Sequence, residues 1–370
     1  MKKKRLLCAL ALCLTGLALA LIPPFLHGPG PEEQLPGAQE PPRQLVRLWI
    51  TGAPGGGMAW LKTQLRAFER AHPGAACYVR QVSPETLLEP QSPLPDAVLF
   101  MPGDITVPEN LLLPLSGSLQ GEESLLRAGR WQRLQYAAPL CWSGWVLAVD
   151  SQYDDAPAVT PAPTTLLGRP APTPDALPTA TPGFPLERAK AAQAVLLAPR
   201  SAGLFSLRAL TGDTMATLPE EFAALSSSAV YEAFLARKAA SALLTTGQAT
   251  ALLSLLSAGR GVPCRFLTPR EIITDQVWMA GLCADRPIAA ALLSHLTGDT
   301  AQRALASQGL YPISAQLTLY GDGFPAQVEA AARRSLTAVN AFLPREQVQR
   351  AAWQAFTGSL DTEAALLPLL

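Results

Sequence analysis

An α/β fold is what the sequence predicts, and three features of its 370 residues predict it. A short apolar strand runs into a glycine-rich loop and then an amphipathic helix across residues 45–71. A second strand and a short apolar run of the buried, parallel type, Asp96–Met101, follow in quick succession. Short apolar segments then alternate with helical periodicity from Ala194 to Cys283, as in sheets covered by helices.

Leu45–Ile50 is a strand by length and composition. It leads into Thr51-Gly52-Ala53-Pro54-Gly55-Gly56-Gly57 and a helix over Met58–Ala71, where Leu61, Leu65 and Phe68 share one face. His72-Pro73-Gly74 stops that helix, and Ala76–Val82 gives the next strand. Trp145–Val149 is a strand candidate, whereas residues 154–185, dense in Pro, Thr and Ala, are expected to form an extended excursion. Strands are expected at Ala194–Ala198, Ala240–Thr245, Gly261–Leu267 and Val277–Cys283, and helices at Gly203–Leu210, Ala229–Arg237 and Gln248–Ala258. Asp285 is expected to cap a helix with Pro287 in its first turn and Ile288, Leu292, Leu293 and Leu296 on its apolar face. Gly298 ends it. Asp299 with Gln302 predicts a capping-box start for the next helix, which Gly309 closes. Ala326–Phe342 and Arg345–Phe356 read as long amphipathic helices.

Lys plus Arg equals Asp plus Glu at 29 each, but four of the bases sit at Lys2, Lys3, Lys4 and Arg5. Without that cluster 25 bases face 29 acids, a net charge of −4, which gives no electrostatic footprint for nucleic acid. Behind the cluster, Leu6–Ile22 is an apolar stretch that Pro23-Pro24 stops. Residues 1–22 are therefore expected to be a signal peptide or a retained membrane anchor, and both readings stand. Residues 23–44, rich in Pro, Gly, Glu and Gln, have linker composition. Hydrophobic content of 49% excludes global disorder, and no second apolar run long enough to span a bilayer is present. An exported chain would leave Cys77, Cys141, Cys264 and Cys283 outside the apolar run, as disulfides in any of three pairings or as free thiols. Without a C-x-x-C pair, and with His27, His72 and His295 far apart in sequence, a metal site is not expected.

No G-x-S-x-G, H-E-x-x-H or G-x-x-x-x-G-K-[ST] occurs, and no catalytic constellation or cofactor is expected. Glu122-Glu123 and Glu220-Glu221 fall at helix starts, where dipole compensation explains them. Binding has more support. In open α/β sheets ligands gather outside the carboxyl ends of strands. Four such loops are small and polar: Thr51–Gly57, Met101–Asp104, Ser201–Gly203 and Thr245–Gln248. Cys141-Trp142-Ser143-Gly144-Trp145 adds two indoles, whose faces suit sugar rings and suit core packing equally. Their odd spacing sends them to opposite faces of a regular strand, so at most one readily stacks on a ligand.

The order of these motifs resembles the extracellular solute-binding proteins of ABC importers, in particular the large family that includes sugar binders. The likeness runs over most of Leu45–Ile313. It rests on Phe68-Glu69-Arg70-Ala71-His72-Pro73-Gly74, on Pro95-Asp96-Ala97-Val98, and on Tyr136-Ala137-Ala138-Pro139-Leu140 continuing to Val146-Leu147-Ala148-Val149. Phe234 to Gly247 is similar to the family's F-x-x-G-K-A-A-M stretch, with Arg237 at the usual Gly. The closing signature runs from Ile288 through Asp299-Thr300-Ala301-Gln302 to Gly309-Leu310-Tyr311-Pro312. Three departures stand out: no lipobox precedes a cysteine, Pro163-Thr164-Thr165-Leu166 replaces Pro-x-Thr-Trp, and Thr246-Gly247-Gln248 lacks the usual aromatic.

The resemblance implies a type II, two-lobe periplasmic-binding-protein-like fold with interlobe crossing strands and a ligand cleft between the lobes. Lobe one would be residues 45–142 plus 279–313, and lobe two 143–278 plus 314–370. Thr51, Gly52, Gly56, Gly57 and Met101 would line the cleft from lobe one. Ser201, Gly203, Thr246, Gly247 and Gln248 would line it from lobe two, with Trp142 or Trp145 near the hinge. The implied protein is an extracytoplasmic monomer that passes a small-molecule solute, a carbohydrate by the family's habit, to ABC permease subunits. A binding-protein-like sensor or scaffold that transports nothing is the alternative.

Overall fold

The computed structural model describes residues 44–89, 94–117, 119–153, 196–211 and 225–370. The leader, all but the last residue of the linker, and the excursion expected at 154–185 lie outside them, as do Glu220 and Glu221. The opening unit is as expected: β1 (Gln44–Ile50), α1 (Gly57–Ala71) and β2 (Ala75–Gln81). Next come α2 (Pro84–Leu88) and β3 (Ala97–Phe100), whose four residues are all buried. Glu122, expected at a helix start, caps α3 (Glu123–Ala128) by accepting from the Leu125 amide. The hairpin β4 (Arg130–Trp131) and β5 (Leu134–Gln135) leads to β6 (Ala138–Trp142) and β7 (Trp145–Asp150).

Beyond residue 195 the order is β8 (Leu196–Leu197), α4 (Gly203–Thr211), α5 (Ser227–Leu235), β9 (Ser241–Thr245), α6 (Thr246–Ser257) and β10 (Cys264–Leu267). Then follow β11 (Ile272–Thr274), β12 (Val277–Leu282), α7 (Pro287–Thr297) and α8 (Asp299–Arg303). The chain ends with α9 (Gly323–Arg334), β13 (Leu336–Ala338), α10 (Arg345–Phe356) and α11 (Thr362–Leu366).

Two main sheets result, ordered β2-β1-β3-β12-β6 and β10-β7-β9-β8. In the first, β1 is parallel to β2 and β3, while β12 runs antiparallel between β3 and β6. In the second, β8 is parallel to β9, and β7 runs antiparallel to both β9 and β10. One face of the first sheet buries Leu48, Ile50, Trp60, Phe68, Leu292 and Leu296 together. A second cluster draws on both sheets, joining Val98 and Phe100 to Val146 and Ala249. Burial of such side chains at roughly 25 cal/mol per Å2 is the main term holding these layers together.

Three local expectations are corrected. The helix expected over Ala326–Phe342 stops at Arg334. Ser335 turns extended, and Leu336–Ala338 pairs in parallel with Ile272–Thr274, a long-range partner that helical periodicity cannot reveal. Asp285 is not the cap of α7: Arg286 stands at that position, and Pro287 fills the first turn as expected. No capping box opens α8, whose cap is Gly298. Gln302 is instead buried, donating to the carbonyls of Leu140 (2.8 Å) and Leu296 (3.0 Å) and accepting from the Ile313 amide (2.9 Å). That one amide side chain ties β6, α7 and the segment after Gly309 into one assembly.

Candidate functional site at the facing ends of two sheets

Connectivity decides which strand ends meet. The carboxyl end of β6 passes through only Ser143 and Gly144 into the amino end of β7. Since Trp145 pairs with Thr245, that end of β7 lies beside the carboxyl end of β9. The carboxyl ends of the parallel strands in both sheets therefore point at this crossing, which is where an α/β protein places ligand loops. A second crossing, Asp275-Gln276, joins β11 to β12 and donates no less to the same place: the Ser143 amide bonds the Gln276 carbonyl, and Thr274 Oγ1 donates to the Ser143 carbonyl at 2.6 Å. Tyr311 supplies a third strand, exchanging both backbone hydrogen bonds with Trp142.

On the first-sheet side, Thr51 and Met101 are brought together by a residue between their loops. Asp104 Oδ2 accepts from Thr51 Oγ1 (2.5 Å) and from the Met101 amide (3.0 Å), while Oδ1 pairs with Arg345 Nη2. The Asp104 side chain is 1% exposed and that of Arg345 52%. Gly52 lies against the Met101 side chain. Gly56, in the left-handed region, caps α1, and Gly57 begins it, packed near Pro54 and Trp278.

The second-sheet loops are tied down more locally. Thr245 and Gln248 form a complete capping box, and Gln248 Nε2 also donates to the Ser227 carbonyl at 2.9 Å. Thr246 is buried; its hydroxyl meets Ser143 Oγ at 2.8 Å and donates to the Gly309 carbonyl at 3.2 Å. Ser201 bonds the Gly203 amide, and Gly203 seats α4 directly under the Trp145 indole, where a Cβ would fall 2.7 Å from the ring. Gly247 faces Gly55 of the first-sheet loop so closely that a Cβ there would lie 3.0 Å from the Gly55 carbonyl oxygen. The two sets of loops thus touch backbone to backbone, which a side chain at Gly247 would prevent.

Both indoles lie in the core. Trp142 stacks on Tyr311 at 4.5 Å between ring centroids and donates Nε1–H to the Pro312 carbonyl. Trp145 donates Nε1–H to Asp275 Oδ1 at 3.1 Å, while Asp275 Oδ2 accepts the Ala202 amide at the start of α4. A small hollow, open to solvent, is lined by Trp142, Pro312, Ile313, Glu329, Ala332 and Arg333, among others. It shares Trp142 with the predicted set and none of its loops.

Sequence inspection missed Arg345 and Asp275. Arg345 had one signal: it is a cation in the first turn of a helix, against the dipole. Asp275 had none. The four cysteines are free thiols, and burial pushes Cys77 up to about 11, Cys264 and Cys283 up to about 12, and Cys141 higher still. At neutral pH they are protonated, which disfavours nucleophilic roles. His72 stacks on Phe68 at 4.2 Å and His295 meets the same ring edge-on at 5.6 Å, both structural contacts. Among the described residues no cluster of three His, Cys, Asp or Glu side chains could hold a metal, and no helix is long and apolar enough to cross a membrane.

No protein-family model and no curated protein sequence matches the chain. Solved structures do. The GacH receptor of Streptomyces glaucescens, described unliganded and with acarbose, aligns over 88% of this chain and 96% of its own at a TM-score of 0.58 and 13% identity. The maltose/maltodextrin-binding domain MalE from Bdellovibrio bacteriovorus, bound to maltotriose, aligns over 87% and 96% at 0.53 and 14%. A cyclo/maltodextrin-binding protein complexed with maltotetraose aligns over 89% and 96% at 0.53 and 16%. The chain therefore has the mixed α/β fold of the periplasmic sugar-binding proteins, the fold that the sequence motifs imply.

Proposed function

We propose that this protein is an extracytoplasmic solute-binding protein that captures a small polar solute, of the carbohydrate class, between two lobes and delivers it to an ABC importer. The carrying observation is the convergence of small polar loops at facing strand ends in a fold otherwise found here in oligosaccharide binders. The lobes are residues 45–142 plus 279–313 and 143–278 plus 314–370, hinged where Ser143, Gln276 and Tyr311 cross. Thr51, Gly52 and Met101 face the solute from lobe one, and Ser201 and Gly247 from lobe two. The apolar leader of residues 1–22 directs export and holds the positive end inside.

A thermal-shift screen of the full chain against malto-oligosaccharides, chitin oligosaccharides, amino acids and polyamines tests this. A ligand at 100 times its Kd stabilises by about 2.7 kcal/mol, a readily measured rise in Tm. A shift with oligosaccharides alone supports the assignment. A shift only with amino acids or polyamines changes the solute class, and a folded sample silent to all four favours a sensor or scaffold that transports nothing. One observation favours that second reading: the Thr246 hydroxyl and the Gln248 amide, both expected at the solute, are spent on internal hydrogen bonds.

A further inference from the structure

Residues 102–104, in the lobe-one loop at the carboxyl end of β3, are covered by the chain itself. The segment running from β13 into α10 crosses them: the Gly103 amide donates to the Ala341 carbonyl (2.8 Å), and the Ala341 amide donates to the Ala128 carbonyl (2.8 Å). Phe342 is fully buried against Phe100, Trp131 and Tyr136, with ring centroids 6.0, 6.2 and 6.5 Å away. Phe100 is the last residue of β3, so Phe342 anchors the crossing segment in the core beside the end of that strand. Three residues on, Arg345 pairs with Asp104 and its Nε reaches the Pro102 carbonyl. The body of α10 belongs elsewhere: Val348, Ala352 and Phe356 pack with Trp145 and Leu147 of the second sheet. The contact therefore links the two halves.

Its chemistry is asymmetric. Asp104 Oδ2 is satisfied by Thr51 and the Met101 amide within its own lobe, whereas Oδ1, among the described residues, takes its hydrogen bond from Arg345. A buried carboxylate oxygen needs a donor, and this one is served by a half-exposed guanidinium in the first turn of a helix, where a cation is disfavoured. Such a donor is replaceable by another.

We propose that Arg345 is an internal occupant of the solute cleft, holding Asp104 Oδ1 until a solute hydroxyl displaces it. The free protein is then latched shut, and solute binding includes the cost of releasing the latch. The proposal rests on the solute-binding assignment for its ligand, but its mechanical half is testable without one. Hydrogen exchange on the full chain reads the latch at the Gly103 and Ala341 amides. In Arg345→Met, protection at these two should fall about tenfold or more while the amides of β1 and β9 stay within about twofold. Arg345→Lys, which keeps a cationic donor for Asp104 Oδ1, should retain part of it. Unchanged protection at Gly103 and Ala341 overturns the latch. So does an equal loss throughout the sheets in both Arg345→Met and the milder Asp104→Asn, which would make the pair a fixture of one rigid body.

Maltotriose titration then separates the two ideas. Tighter binding by Arg345→Met than by wild type, about tenfold, supports an occupant that competes with solute. Equal affinity overturns the competition. A latch that opens in exchange experiments while neither protein binds maltotriose or any screened solute leaves the latch standing and removes the solute-binding assignment.

Discussion

Strand β3 carries one buried carboxylate before it and one after it, and the two are held in different ways. Asp96, at the amino end, accepts the Arg47 amide (2.7 Å) and pairs with the guanidinium groups of Arg286 (2.8 Å) and Arg47 (3.6 Å). Arg47 lies on β1 and Arg286 at the cap of α7, so every partner belongs to the first sheet and its covering helices. Asp104, at the carboxyl end, shares itself between Thr51 of that sheet and Arg345 of a helix packed on the other. One carboxylate staples a layer and the other bridges two. The carboxyl end is also the end where α/β proteins bind ligands, and of the two carboxylates it is Asp104, at that end, whose bond a motion between the halves would break.

Removing the staple should therefore cost more than removing the bridge. Asp96→Ala leaves two guanidinium groups and a backbone amide facing an empty site. With both arginines about one-third exposed, the loss should sit near the low end for a broken buried pair, about 3 kcal/mol. Urea denaturation measures it; a loss below that of Arg345→Met would reverse the comparison. The same carboxylate makes a pH test. Burial alone would raise the Asp96 pKa, but the Arg47 amide and the Arg286 guanidinium outweigh it and hold it below the usual carboxylate value. A lowered folded-state pKa gives stability that is present above the unfolded value of about 3.9 and is lost as pH falls through the folded one. The gap in stability between wild type and Asp96→Asn should thus be widest near neutrality and close below about pH 4. A gap that persists into acid would mean that packing, not charge, is what Asp96 contributes.

Between staple and bridge lies the crossing itself. Thr246→Val keeps the shape but removes the hydroxyl that joins Ser143, Gly144 and Gly309. A buried hydroxyl and carbonyl left with fewer partners should cost about 1–3 kcal/mol by urea denaturation. If the crossing serves only as a hinge, the loss should come with faster exchange at the Gly144 and Thr246 amides and unchanged exchange in β1.

The layers were legible because their signals are local. Leu61, Leu65 and Phe68 at helical spacing, the apolar run before Met101, and Gly298 and Gly309 at helix ends each announce an element within one or two turns of chain. Asp104 lay inside a loop already singled out, yet its partner stands 241 residues away and is nearly invisible in sequence. The strand at Leu336–Ala338 hid for the same reason, since its pairing partner is Ile272–Thr274 and a three-residue strand has too little period to read. Gln302 was noticed for the wrong job. Its spacing from Asp299 fits a cap, but tertiary contacts with Leu140, Leu296 and Ile313 claim both ends of its amide.

The smallest expected effect comes from the loop that needs no distant help. Gln248 completes a capping box with Thr245 and reaches Ser227, so Gln248→Ala removes local bonds at the start of α6 and nothing that joins the two halves. A cap loss of this kind costs about 1 kcal/mol. Its mark should be faster exchange in the first turn of α6, with the Gly103 and Ala341 amides as slow as in wild type. The opposite pattern, loosening at Gly103 and Ala341 after a change in α6, would mean that the facing loops move as one piece. The close contact of Gly247 with Gly55 would then be as much a part of the closure as the Asp104–Arg345 pair.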